Sequence, residues 1–209
     1  MDDNKELNSC LMLAVNLDCP ISLKAVFDEA DLKDTGIELD SHITLLYAQG
    51  KEIDRISLKD DIKGILGDGG YYDFMSKLSN PKVYKVLDIF ELSSFENDSD
   101  YVILKLKDTS DIYESLSKIN RELRIKYDVS TEFTDYTPHL TLAELQPGTA
   151  SKYLGSAALK KILDDSVVNY EDIMLSYGAS NEPEDRKQYF LTSYHCVDRY
   201  FRLIHLKAE

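Results

Sequence analysis

One phrase is written twice in this chain, as His42-Ile43-Thr44-Leu45 and as His139-Leu140-Thr141-Leu142, once in each half. Successive side chains of a β-strand point to opposite faces. A strand carrying this phrase therefore has one apolar face to bury and one polar face to keep open. Alternation predicts His42, Thr44 and Leu46 on one face, with Ile43, Leu45 and Tyr47 on the other. In the second copy it predicts His139, Thr141 and Ala143 together, opposite Leu140, Leu142 and Glu144. The leucines pack each strand onto its helices, and each histidine stands beside its threonine.

The segments around the two phrases follow one order. Residues 10–17, CLMLAVNL, are a nearly continuous apolar run and read as a buried strand. Pro20 then opens a helix with Leu23, Val26, Phe27 and Ala30 at helical spacing. After the His42 strand, residues 57–66 read as a helix with Ser57 as its cap. Gly67 to Gly70 break that helix before a short one over 71–79, and Tyr84 to Phe95 read as a strand. The second half opens with a strand over 101–107. A helix over 109–126 follows, with Ile112, Leu116, Ile119 and Leu123 inward and Thr109 or Ser110 as cap. Beyond the His139 strand lie a helix over 150–164, with Leu154, Ala158, Leu159 and Ile162 inward, and a strand near 167–179. Each half thus reads strand, helix, His-Thr strand, helix, strand. The expectation is one bilobal domain over residues 1–209, with lobe one at about 10–95 and lobe two at about 100–179 facing across a central cleft. Two C-terminal strands, about 187–206, follow the polar loop ASNEPEDRK and have no counterpart in the first half.

Composition narrows the class. With 43% hydrophobic and 30% charged residues the chain reads as an ordinary globular protein. No apolar run approaches the roughly 20 residues that span a bilayer. The opening MDDNKELNSC is acidic and lacks the pattern of a signal peptide, so the expected location is cytoplasmic. Cys10, Cys19 and Cys196 form no CxxC pair and read as reduced core thiols. No paired ligand spacing suggests a metal, and no cofactor is expected. The formal net charge of −14 argues against tracking a long nucleic acid, which requires clustered Lys and Arg. Acidic stretches such as Asp28-Glu29-Ala30-Asp31 read as solvated faces. A nucleotide ligand would be short, and the sequence leaves the oligomeric state open.

The repeated phrase suits phosphodiester chemistry. An imidazole with a pKa near 6.5 serves as base or acid at neutral pH. One histidine can take a proton from water or from a ribose 2′-hydroxyl, and the other can hand a proton to the departing oxygen. The two threonine hydroxyls can hydrogen-bond the non-bridging phosphate oxygens as charge builds there.

The paired strands resemble the signature of the 2H phosphoesterase superfamily. Its members include RNA 2′,3′-cyclic phosphodiesterases (the so-called 2′-5′ RNA ligases), viral phosphodiesterases that degrade oligoadenylate, and phage anti-CBASS nucleases. The resemblance spans roughly residues 10–179, though its specific part is the two motifs, the second led by Thr137-Pro138. It implies a bilobal α+β fold with antiparallel sheets facing a central cleft. It further implies His42 and His139 as acid and base, and Thr44 and Thr141 as phosphate ligands. The strongly acidic balance and the segment beyond residue 179 depart from the RNA-ligase-like branch. They favour a small nucleotide or short oligonucleotide with a 2′-linked or cyclic phosphate, as in the phage nucleases that cut cyclic oligonucleotide signals; a phage-encoded chain would act in the host cytoplasm. The alternatives are an RNA-processing phosphodiesterase and a non-catalytic sponge for cyclic nucleotides.

Other residues carry weaker signals. Fourteen tyrosines and no tryptophan invite base stacking, with Tyr136, Tyr177 and Tyr194 as candidates. Tyr47 reads as a packing residue on the face opposite His42. His195 and His205 lack a following threonine and read as structural, and Arg186-Lys187 reads as a solvated loop pair. Glu144 and Asp135 flank the second motif, where either could orient a histidine.

Overall fold

In the computed structural model, which describes residues 8–79, 82–130, 135–178 and 187–191, the early apolar run forms strand β1 (Asn8–Leu17). One helical turn, α1 (Pro20–Leu23), and a 3₁₀ turn lead to β2 (Leu32–Ile37) and to the first motif strand, β3 (His42–Ala48). Helix α2 (Arg55–Ser79) follows, then β4 (Tyr84–Lys85), the single turn α3 (Val86–Ile89), and the pair β5 (Phe90–Glu96) and β6 (Asp100–Leu106). Helix α4 (Tyr113–Lys126) precedes the second motif strand, β7 (His139–Leu145). The rest comprises α5 (Ala150–Leu154), α6 (Ala157–Asp165), β8 (Val167–Gly178) and β9 (Lys187–Phe190).

Local chemistry explains where the helices differ from the pattern. The helix expected after Pro20 ends after one turn, although Leu23 and Phe27 are still buried. Asp54, not Ser57, caps α2: its Oδ2 accepts from the Ser57 backbone N–H at 2.8 Å. The break expected at Gly67 is a kink inside α2, where glycine adopts a φ of 72° that other residues resist. The expected helix over 150–164 is two helices, because Ser156 leaves helical geometry and caps α6 by accepting from Leu159 N–H at 3.2 Å. That break re-aims the buried face to Ala150, Tyr153, Leu159 and Leu163. Leu154 and Ile162 are left half-buried, and Ala158 is exposed. In α4 no side chain caps the start, yet Leu116, Ile119 and Leu123 are fully buried at the expected spacing. Each such leucine or isoleucine contributes roughly 1.5–3 kcal/mol.

The strands pair antiparallel in one continuous sheet of order β4-β8-β1-β3-β7-β6-β5, with β2 added to β7 and β9 to β8. This corrects the expectation of two sheets facing one another: β3 and β7 meet edge to edge through the single pair Ile43↔Leu140. The sheet order also cuts across the sequence halves. β8, from the second half, lies between β4 and β1, while β5 and β2, from the first, pair with β6 and β7. Pairing is decided by which edges bury the most apolar surface, which a count of strands in order does not reveal. β1 is paired on both edges, by β3 and β8, and Leu11, Leu13, Val15 and Leu17 enter the core. One core cluster joins Leu11 and Leu13 of β1, Ile43 and Leu45 of β3, and Leu140 and Leu142 of β7 to side chains of α2, α4 and α6. Of the C-terminal strands, β9 pairs with β8; the remainder, with Tyr194, His195, Cys196 and His205, lies outside the described residues, as does Arg186.

Each motif strand carries a bulge at the residue after its threonine. Leu11 faces Leu46 and Met12 faces Thr44, so Leu45 has no partner on β1. Val102 faces Ala143 and Ile103 faces Thr141, so Leu142 has no partner on β6. A bulge inserts one residue and reverses the alternation beyond it. Leu45 and Leu46 are therefore both buried, and Tyr47, 49% exposed, falls on the face of His42 rather than opposite it. Likewise Leu142 and Ala143 both enter the core, and Glu144 moves to the face of His139. These four assignments correct simple alternation. The carbonyl of the bulged Leu45 accepts from Asn120 Nδ2 of α4 at 2.7 Å, in a buried setting. Replacing Asn120 with Leu keeps the volume and removes that donor. It is expected to lower unfolding stability by about 1–3 kcal/mol, seen as a reduced urea midpoint at unchanged slope.

Candidate active site

The Ile43↔Leu140 pair sets the geometry of the site. Both side chains are fully buried in the core, so the flanking histidines and threonines stand on the opposite, open face. In antiparallel strands one step from that pair sets His42 across from Thr141, and Thr44 across from His139. All four sequence-predicted site residues are thereby brought together. Three of the four have a small or apolar neighbour on the adjoining strand: Ala14 beside His42, Met12 beside Thr44, and Ile103 beside Thr141. Met12, Ala14, Ile103 and Met174 are at most 7% exposed and floor the open face. The ammonium-bearing Lys105 pairs with His139.

Both imidazoles are held in the same way. His42 Nδ1 lies 2.7 Å from the carbonyl of Asp40, and His139 Nδ1 lies 2.7 Å from the carbonyl of Thr137. A carbonyl oxygen only accepts, so each Nδ1 bears the hydrogen and each Nε2 is left for chemistry. These orienting groups are backbone carbonyls two residues upstream. Every residue has such a carbonyl, so the sequence gives no sign of them. Asp135 is exposed away from the imidazoles' Nδ1 contacts. Glu144, 9% exposed, accepts instead from the Tyr101 hydroxyl at 3.1 Å.

The two histidines differ in surroundings. Burial pushes the His139 pKa below the ordinary histidine value. The Thr137 carbonyl opposes that shift, and the nearby His42 adds to it. The Phe95 ring meets the His139 ring edge-on at a centroid distance of 4.9 Å. Phe95 is a neighbour of the site that the sequence pattern missed; the sequence reads Tyr47 and Glu144 in other roles, as a packing residue and as a group that could orient a histidine. Both Tyr47 and Glu144 lie five positions after a motif histidine, a shared offset that becomes meaningful only with the bulges.

The tyrosines proposed for stacking are placed differently. Tyr136 is partly buried and its hydroxyl donates to the Thr44 carbonyl at 2.9 Å, bracing the first motif strand from the segment that leads into the second. Burial raises its pKa far above the usual phenol value. Tyr177 pairs with the buried Ser9 on the core face, away from the histidines; its hydroxyl donates to the Ile53 carbonyl, and its ring packs against Tyr189 at 5.7 Å. Among the described residues no three His, Cys, Asp or Glu side chains cluster as metal ligands, and no helix is long and apolar enough to cross a membrane.

No protein-family profile and no curated protein matches the sequence. Among solved structures the chain is similar to Kluyveromyces marxianus Usb1 with uridine monophosphate, at 9% identity and a TM-score of 0.38, covering 89% of this chain and 99% of that one. A second structure of Kluyveromyces marxianus Usb1 gives 12% identity and a TM-score of 0.37, covering 89% of this chain and 98% of that one.

The lowered His139 pKa has a stability consequence. The folded state holds this imidazole neutral at a pH where the unfolded chain already binds the proton. Stability therefore falls as pH drops below about 6.5, and is fully present above it. Replacing His139 with Gln removes that component. Melting temperatures measured from about pH 8 to about pH 5 should fall more steeply for the native protein than for the variant.

Proposed function

We propose that this chain is a metal-independent phosphodiesterase of the 2H type, acting on a small nucleotide or short oligonucleotide with a 2′-linked or cyclic phosphate. The observation that carries the reading is the pair of H-x-T strands side by side, each histidine locked by the same Nδ1–carbonyl bond. His139, whose burial favours the neutral imidazole, serves as general base: its Nε2 takes the proton of the attacking water or ribose 2′-hydroxyl. The freed oxygen attacks phosphorus as the bond to the leaving oxygen breaks. The half-exposed His42 serves as general acid, and its Nε2–H supplies the proton that the leaving oxygen needs. Thr44 and Thr141 donate their hydroxyls to the non-bridging oxygens.

The net charge of −14 supports a small substrate over a long RNA, because neutral hydroxyl donors rather than a basic track meet the phosphate. Tyr47, exposed on the His42 side, offers a face for a base. Replacing His42 or His139 with Ala is expected to lower turnover by roughly 10²- to 10⁴-fold. Replacing Thr44 or Thr141 with Ala should cost less, about 10- to 10³-fold. The assay is chromatography of products from 2′,3′-cyclic mononucleotides, 2′-5′ oligoadenylate, cyclic di- and trinucleotides and a short RNA, all in EDTA. Full activity in the double histidine variant, or complete loss in EDTA, would sink the mechanism. Tight binding without products would mark a sponge, and turnover of cyclic-ended RNA alone would mark RNA processing.

A further inference from the structure

A cavity of about 660 Å³ lies behind the first motif strand, and none of the four motif side chains lines it. That volume falls within the range of small-molecule sites. Its main wall is a stripe of α4 adjoining the core stripe, with Tyr113, Ser117, Arg121 and Arg124 at successive turns; Asp135 and Tyr136 close the far side. Asn120 and Tyr136, which hold the carbonyls of Leu45 and Thr44, form its back. The cavity therefore shares a wall with the catalytic strand without opening through it.

Two of its polar atoms are unsatisfied. Arg124 Nε and Ser117 Oγ are buried with no hydrogen-bond partner. Buried polar groups are nearly always paired, and a guanidinium N–H left unpaired is costly. Each atom can donate to an acceptor entering the cavity, and a phosphate oxygen is the acceptor that a guanidinium matches best. Arg121, 3.0 Å from the Glu122 carboxylate, adds a second guanidinium at the rim, and a rim pair of this kind is a weak competitor. The half-buried rings of Tyr113 and Tyr136 supply apolar walls for a flat ring. Asp135, exposed at the mouth, repels phosphate but accepts from hydroxyls.

We infer that this cavity binds a nucleoside monophosphate, with phosphate on Arg124, Ser117 and Arg121, the base between Tyr113 and Tyr136, and ribose hydroxyls toward Asp135. The site is separate from the H-x-T site, and the inference does not depend on the phosphodiesterase reading.

Isothermal titration of the full chain with AMP, CMP and inorganic phosphate tests it, alongside the R121Q/R124Q and T44A/T141A variants. The nucleotides should bind saturably and more tightly than inorganic phosphate. Affinity should drop roughly tenfold or more in R121Q/R124Q and hold in T44A/T141A. Absence of saturable binding overturns the proposal. So does unchanged affinity in a folded R121Q/R124Q variant, loss of binding in T44A/T141A, or inorganic phosphate binding as tightly as the nucleotides. Should the double arginine variant fail to melt cooperatively, Ser117→Ala serves in its place, with weakened binding expected and equal affinity overturning the inference.

Discussion

A single ladder pair, Ile43 with Leu140, joins the two arrays of strands. Both side chains are buried, so they anchor two strand edges to one core and turn the motif histidines and threonines to the other face. Were the junction shifted by one residue, every side chain of one strand would change face. The apolar middle residue of each motif is therefore as necessary to the site as the polar residues beside it.

The two bulges extend that control. In a regular strand Tyr47 and Glu144 would enter the core, where an unpaired carboxylate is costly. The extra residue after each threonine sends both to the open face and lets two consecutive apolar side chains face inward. The carbonyl left unpaired at Leu45 is met by Asn120. The same device at the same place in both strands gives the site its pseudo-symmetry. The occupants break it: a tyrosine on one side and a carboxylate paired with Tyr101 on the other.

Charge is distributed to match. The open face of the sheet presents hydroxyls and imidazoles over an apolar floor, and burial favours the neutral form of His139. The guanidiniums sit instead on α4, behind the strand, around the cavity that Asn120 and Tyr136 share with the motif strand. Net charge forbids phosphate at neither place, since contact is governed by local donors.

The two motif strands, β1, β6, β8 and the amphipathic face of α4 were legible in the sequence, because periodicity and residue type report burial locally; β2 was not, and the strand expected over Tyr84 to Phe95 is interrupted by the turn α3. The kink at Gly67 was legible for the same reason. What the tertiary structure alone decided was non-local. It set β8 beside β1 and drew the sheet into one piece. It chose Asp54 over Ser57 as a cap and Asn120 as a partner for a carbonyl. It moved Tyr47 and Glu144 across the sheet and set Phe95 against His139. A bulge changes no residue and leaves no mark on composition. It is fixed by the register against a neighbouring strand, and register depends on which distant segments together bury the most surface and leave the fewest polar groups unpaired.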